Sequence, residues 1–96
     1  MRYNFPPHKC AETIDLKAML SKIAEEALEV VKSAEEMDKQ GGLLDLDMEV
    51  GDLLHACETW LRRRESQGLC IDSVMVRVIA KNRARGYYEV QRRWGN

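Results

Sequence analysis

Apolar residues recur every three to four positions in two long segments of this chain, which the pair Gly41-Gly42 separates. This spacing matches the 3.6-residue turn of an α-helix, so each segment is predicted to form a helix with one apolar face. The first helix is predicted over residues 14–39, with Thr13 as its N-cap, and the second over residues 44–65. A third amphipathic helix is predicted over residues 72–85.

These elements predict an all-α fold, a small bundle of three to four helices in one domain spanning residues 1–96. Residues 1–12 are predicted to be irregular, and residues 87–96 to form a tail or a short helix. A chain of this length buries only about two-thirds of the surface that it exposes when unfolded. Three helices also leave a bundle without its usual fourth member. We therefore expect homo-oligomerisation, as a homodimer or homotetramer, to complete the fold.

Acidic residues stand at helical spacing in both long segments, as Glu25-Glu26-x-x-Glu29 in the first and Glu49-x-x-Asp52 in the second. Residues three or four apart share one face of a helix, with Cβ atoms about 5–6 Å apart. Glu26 and Glu29 are therefore predicted to form one pair of carboxylates, and Glu49 and Asp52 a second pair. The helical projection places Glu26 at the border of the apolar arc of its helix, with Glu29 and then Glu25 farther out.

The helical projection places Glu49 between Ala56 and Trp60, inside the apolar sector of its helix. Burying an ionised carboxylate without a partner costs several kcal/mol, whereas a solvated pair of acids costs only about 0.2–0.5 kcal/mol. Few bases are available on these faces, chiefly Lys22 and Lys32. A divalent cation with oxygen ligands, most simply Mg²⁺, is the interpretation that accounts for these acids together.

A solvated acidic face with no function explains Glu-Glu-x-x-Glu when that motif stands alone. The C-terminal segment favours a functional site, because residues 81–88 read Lys-Asn-Arg-Ala-Arg-Gly-Tyr-Tyr. Arg and Lys suit phosphate oxygens, and Tyr can stack on a base or hydrogen-bond to a ribose. The same cations also suit a helix C-terminus, where Gly86 would provide a left-handed cap. Both interpretations can hold at once.

In this order the motifs resemble those of the MazG-type all-α nucleotide pyrophosphohydrolases, and the C-terminal motif resembles that of the short, phage-like members. The signature of that family is E-E-x-x-E followed after a gap by E-x-x-D, and here the gap is nineteen residues. The resemblance implies hydrolysis of a nucleoside triphosphate, expected to be a deoxynucleoside triphosphate, between the α and β phosphates. The products would be the monophosphate and pyrophosphate.

The resemblance also implies a cofactor and roles for individual residues. Mg²⁺ is the expected cofactor, with Mn²⁺ as a substitute. The implied metal ligands are Glu26, Glu29, Glu49 and Asp52. Glu25 would be catalytic, orienting or deprotonating the attacking water or holding a second ion. The implied substrate-binding residues are Lys81, Asn82, Arg85 and Tyr88.

Two functions from other classes remain open. The chain has 15 Lys and Arg against 16 Asp and Glu, a net charge of -1, which argues against a dedicated duplex-binding protein. A small nucleic-acid-binding module would use the C-terminal cations and aromatics, namely Arg83, Arg85, Tyr87, Tyr88, Arg92, Arg93 and Trp94. A non-catalytic oligomeric adaptor would pair its acids with Arg across a subunit interface. Nucleic acid is the less favoured partner, because it leaves Glu49 unexplained.

Three cysteines, Cys10, Cys57 and Cys70, show no C-x-x-C spacing, which indicates a reducing, cytoplasmic setting. No apolar run reaches the roughly 20 residues of a membrane span.

Two further expectations concern the second helix. His55 is expected to face solvent or an interface, and the run Arg62-Arg63-Arg64 is expected to be a solvated helix end.

Overall fold

The computed structural model describes residues 2–37 and 42–88, which contain three α-helices and no strand. Helix α1 spans Leu16–Glu36, α2 spans Leu43–Ser66 and α3 spans Ile71–Ala84. The predicted all-α class and the three predicted helices are confirmed. Residues 89–96 of the predicted tail lie outside the described residues, as do residues 38–41 between α1 and α2.

Helix α1 begins two residues later than predicted, and the prediction that Thr13 caps it is wrong. The N-cap is Asp15, with extended backbone at φ -61° and ψ 139°. A turn before the helix engages Thr13 instead: its hydroxyl donates to the carbonyl of Cys10 at 3.2 Å. The N–H groups of Thr13 and Ile14 donate to the same carbonyl at 3.0 Å. This turn delays the start of α1.

Glycines in the left-handed region follow α2 and α3. Gly68 has φ 100° and Gly86 has φ 84°. Each lets the next residue fold back on the helix, because Leu69 N–H donates to Arg64 O and Tyr87 N–H to Asn82 O, both at 3.1 Å. The predicted cap at Gly86 is confirmed.

Helices α1 and α2 form an antiparallel pair, whereas α3 contacts α2 alone among the described helices. Two contacts show the antiparallel direction. Near the start of α1, Ile14 accepts from Arg63, which lies near the end of α2. Farther along α1, Glu26 lies near Asp52, which belongs to the first half of α2. The acidic motifs of both helices therefore face each other along the middle of the pair.

Little of the apolar surface is covered within one chain. The buried apolar residues are Ala11, Met19 and Ile71, while Leu44, Met48 and Val76 are 64–70% exposed. The radius of gyration is 16.7 Å, against about 12 Å for a compact domain of this length. The accessible surface is 7542 Å², against about 5,700 Å² for a compact monomer of this mass. The core of one chain is therefore thin.

The residues before α1 cross over α2 as an ordered segment, which we call the N-terminal strap (residues 3–14). Arg62 donates to the carbonyl of Phe5 and lies 4.1 Å from the centre of the Tyr3 ring. Arg63 donates to the carbonyls of Ala11 and Ile14 at 2.7 and 2.6 Å. The expectation of a solvated Arg62-Arg63-Arg64 run is therefore wrong for its first two residues, because free carbonyls of the strap attract their guanidinium groups.

Glu58 is the buried charged residue of the described chain, and it also holds the strap. Its carboxylate accepts from Asn4 N–H at 3.0 Å, Asn4 Nδ2 at 2.8 Å and Phe5 N–H at 3.1 Å. Burial raises the pKa of Glu58, but these hydrogen bonds and the charge of Arg62 outweigh it, so that the pKa lies below its ordinary value. The strap thus depends on an ionised Glu58.

A pH dependence of stability follows from this lowered pKa. As the pH falls, the unfolded chain takes up a proton on Glu58 before the folded chain does. The stability that Glu58 contributes is thus complete above its ordinary pKa near 4.5 and is lost as the pH falls through the lower folded value. We expect the melting temperature to fall below about pH 4.5 and to fall less steeply in Glu58→Gln. If the melting temperatures of the two proteins, measured by circular dichroism, fell equally with pH, this expectation would be contradicted.

Candidate functional site

A cleft of about 290 Å³ lies between α1, α2 and the N-terminal strap. Its polar lining comes from both helices and the strap, and its apolar lining from Ile14, Ala18, Met19 and Ala56. Pockets of about 300 Å³ or more are typical of small-molecule sites, so the volume of this cleft is near the lower end of that range.

Three acidic side chains meet at this cleft: Glu26 from α1 with Glu49 and Asp52 from α2, which we call the carboxylate cluster. One oxygen of each lies within 4.8 Å of the others. Glu26 and Asp52 line the cleft. Glu26 and Glu49 are half-buried, and Asp52 is exposed. The antiparallel packing of α1 on α2 produces this convergence, since neither helix brings all three together.

The acids of α1 turn progressively outward, in the order that the helical projection predicts. The exposed fraction of the side chain rises from 14% for Glu26 to 44% for Glu29 and 61% for Glu25. Glu29 lies 3.6 Å from Lys32 Nζ, and Glu25 lies 2.9 Å from Lys22 Nζ. Neither belongs to the carboxylate cluster, so the structure brings together three of the four predicted metal ligands.

Lys22 is the cation nearest to the cluster. Its Nζ lies 3.0 Å from Glu26 and 2.9 Å from Glu25, and it lines the cleft. Hydrogen bonds to Glu25, then to Glu26, raise the pKa of Lys22. Among the described residues, the ion pairs of Lys22 reach Glu25 and Glu26 but not Glu49 or Asp52, which favours a cation at the cluster.

The cluster fits a small divalent metal ion by its chemistry. All three ligands are carboxylate oxygens, the donors that Mg²⁺ prefers. Two oxygens on opposite sides of Mg²⁺ lie at most about 4.2 Å apart, so the cluster needs only a small rotation of its side chains to reach that spacing. Mg²⁺ also keeps several waters, which suits a site with three protein ligands and an open side.

His55 is half-buried, so the first alternative expected for it, a solvent-facing ring, is wrong, and the second, an interface, stays a prediction. Its ring stacks on Phe5, with centroids 4.7 Å apart and planes inclined by 23°. It lines the cleft, and its buried Nε2 has no hydrogen-bond partner within the described chain. The projection of α2 alone missed this contact, because Phe5 comes from the N-terminal strap.

The four predicted substrate-binding residues lie together at the end of α3, away from the cleft. Lys81, Arg85 and Tyr88 are exposed, and Asn82 is half-buried. The Arg83 guanidinium lies 5.8 Å from the centre of the Tyr88 ring. None of the four lines the cleft, and α3 makes no contact with α1 within the described residues. One chain therefore presents an acidic site and a basic site on separate surfaces.

Sequence reasoning missed the role of the strap and of Glu58. A signal was present: on the helical projection Glu58 lies about 40° from Leu54 and about 60° from Leu61, at the edge of the apolar sector. Such a carboxylate must find donors. The donors are backbone N–H groups, which a sequence does not distinguish.

None of the curated proteins and none of the solved structures matches this chain. A family model does match, that of the MazG nucleotide pyrophosphohydrolase domain, over residues 15–87. The match contains all three helices, the carboxylate cluster and the end of α3. In the described ranges, no helix is both long and apolar enough to cross a membrane. Because the match covers well over half of the sequence, the chain belongs to the MazG nucleotide pyrophosphohydrolase domain family.

Proposed function

We propose that the protein is a Mg²⁺-dependent nucleoside triphosphate pyrophosphohydrolase that cleaves between the α and β phosphates and releases pyrophosphate. The observation that carries this proposal is the carboxylate cluster, which lies at a cleft and is only partly neutralised by Lys22. Family membership supports the general class of reaction. Deoxynucleoside triphosphates are the proposed substrates, and Mn²⁺ is a proposed substitute for Mg²⁺.

The carboxylate cluster would hold the cation through Glu26, Glu49 and Asp52, and Glu29 would join it if its ion pair with Lys32 opened. The bound cation supplies charge stabilisation at the phosphates and lowers the pKa of a coordinated water. Glu25 lies beside the cluster on an exposed turn of α1, where it would accept a proton from the attacking water or orient it. No side chain needs to act as a nucleophile.

The end of α3 would bind the phosphates through Lys81, Asn82 and Arg85, with Tyr88 beside them. Since this group lies away from the cluster of its own chain, we propose that a second copy of the chain brings the two groups together. The surface of one chain exceeds that of a compact monomer by about 1,900 Å², so two chains that each buried this excess would bury about 3,800 Å² in total, within the roughly 2,000–5,000 Å² of obligate homodimers. A homodimer or homotetramer follows, and a mass of 11.1 kDa in solution would contradict it.

A cytoplasmic setting is part of this proposal. Cys10, Cys57 and Cys70 are all free thiols in the structure. Free thiols persist where glutathione keeps them reduced, which is also where nucleotide pools are found.

The direct test is pyrophosphate release from each common ribo- and deoxyribonucleoside triphosphate, with Mg²⁺, with Mn²⁺ and with EDTA. We expect at least one triphosphate to give equimolar monophosphate and pyrophosphate, and EDTA to abolish the reaction. Inorganic phosphate as the product, or turnover in EDTA, would contradict the proposal. Absence of turnover combined with salt-dependent RNA or DNA binding would favour the nucleic-acid alternative.

A further inference from the structure

The N-terminal strap forms one wall of the cleft as well as crossing α2. His8 and Ile14 of the strap line the cleft directly. Phe5 contributes to the cleft indirectly. Its ring stacks on that of His55, which lines the cleft. A change in the position of the strap would therefore change the shape of the site.

Side chains of α2 hold the strap in place through hydrogen bonds to its backbone. Both oxygens of Glu58 accept from Asn4 N–H at 3.0 Å, and Glu58 Oε1 also accepts from Phe5 N–H at 3.1 Å. Arg62 donates to the carbonyl of Phe5, so both backbone groups of that residue are bound. Glu58, which is only 4% exposed, thus holds the backbone of Phe5 where its ring stacks on His55.

The wall formed by the strap differs in chemistry from the side of the carboxylate cluster. Around Ile14, Met19 and Ala56 the lining is apolar, and His55 places an imidazole there. With the His8 ring of the strap, this apolar lining carries two imidazoles and suits a flat, uncharged heterocycle and a sugar, whereas the carboxylates suit a cation and the phosphates that it binds. The buried Nε2 of His55 is a polar group at this end that residues 2–37 and 42–88 leave without a hydrogen-bond partner.

The strap also lies entirely outside the part of the chain that matches the family. The match begins at residue 15, whereas the strap covers residues 3–14. Its contribution to the site is therefore a property of this chain and is not implied by membership of the family.

We propose that the N-terminal strap is the nucleoside-facing wall of the cleft, and that Glu58 is the positioning residue that holds this wall, and through Phe5 the His55 ring, in place. Only the identity of the ligand as a nucleotide rests on the proposed function. Glu58 touches no ligand in this arrangement. Its effect on the site passes through the backbone of Asn4 and Phe5.

The variant Glu58→Gln tests this proposal, because the side chain keeps its size while one acceptor becomes an amide donor that faces the N–H groups of the strap. We expect KM for the best triphosphate to rise about 10-fold or more, with kcat changed less than about twofold, because the loss is in binding and the cluster is untouched. Amide exchange in residues 3–14 should become faster.

Asp47→Asn is the matched control. Asp47 is an exposed acid on the same helix that lines no part of this cleft. We expect its KM to stay within about twofold of the wild type. A purely structural role for Glu58 would lower the melting temperature of Glu58→Gln while KM stayed unchanged well below melting. That result would overturn the proposal.

Phe5→Leu provides a second route if Glu58→Gln fails to fold. It keeps the backbone N–H that Glu58 binds and removes the ring that stacks on His55. We expect a raised KM and a changed ranking among the bases. An unchanged KM and an unchanged ranking would overturn the proposal.

Binding of a nucleoside monophosphate separates this proposal from the proposed function. We expect the monophosphate to slow amide exchange in residues 3–14 of the wild type, and to bind Glu58→Gln at least about 10-fold more weakly. This outcome would support the strap as a wall even if no triphosphate released pyrophosphate. Failure of the monophosphate to bind, or binding without a change in the strap, would overturn the proposal even if hydrolysis were observed.

Discussion

Glu49→Gln is expected to reduce pyrophosphate release from nucleoside triphosphates at least about 10³-fold, because a catalytic metal ion contributes several kcal/mol to the barrier. Glu49 is the half-buried member of the carboxylate cluster on α2. The amide keeps its shape but removes one of three charges that lie within 4.8 Å of one another. Without metal, the variant should therefore be as stable as the wild type or more stable, since repulsion within the cluster falls.

The melting temperature distinguishes loss of metal binding from loss of folding. Mg²⁺ should raise it in the wild type by mass action and raise it much less in Glu49→Gln. Asp47→Asn is the matched control, because Asp47 is an exposed acid on the same helix that lies outside the cluster. We expect it to keep both the activity and the Mg²⁺ response. Wild-type hydrolysis by Glu49→Gln in Mg²⁺ would show that the cluster is not the metal site.

The local parts of this fold were predictable because they depend on spacing along the chain. The apolar period gave three helices, and the projection ordered Glu26, Glu29 and Glu25 by exposure correctly. The convergence of Glu26 with Glu49 and Asp52 was predictable for a related reason, since two helices with a short connection pack antiparallel. Whether Glu29 binds metal remains a prediction.

The parts that sequence reasoning missed depend on contacts between distant segments. His55, Arg62 and Arg63 each look solvent-facing on a projection of α2, yet each contacts the N-terminal strap. No periodicity marks an irregular segment such as residues 3–14, and backbone carbonyls and N–H groups carry no side-chain signal. Polar residues of a helix that hold an irregular segment are therefore difficult to identify from sequence.

Arg85→Ala and Lys81→Ala are expected to lower kcat/KM by about 2–4 kcal/mol each, the effect of deleting one preorganised group that stabilises developing charge. Both cations lie at the end of α3, where a charge that only complements the helix dipole contributes about 0.3–1 kcal/mol of stability and little activity. Arg77→Ala removes an exposed cation from the same helix, one turn before Lys81, and is the matched control. Equal activity of all three variants would assign Lys81 and Arg85 to capping. Weakened, salt-dependent binding of RNA or DNA without any pyrophosphate release would assign them to nucleic acid.

Because of where α3 lies, a large loss of activity in Arg85→Ala would also indicate that copies of the chain share a site. Arg85 does not line the cleft of its own chain, and α3 does not contact α1 in the described residues. If Arg85 acts on the phosphates, it reaches them in the cleft of another copy. A mixture of inactive Glu49→Gln and Arg85→Ala chains, unfolded and refolded together, should then recover turnover, because some mixed assemblies combine an intact cluster with an intact α3 end. Each variant refolded alone should stay inactive. A mixture no more active than its separate components would show that each chain completes its site with its own α3, which requires α3 to move against α1.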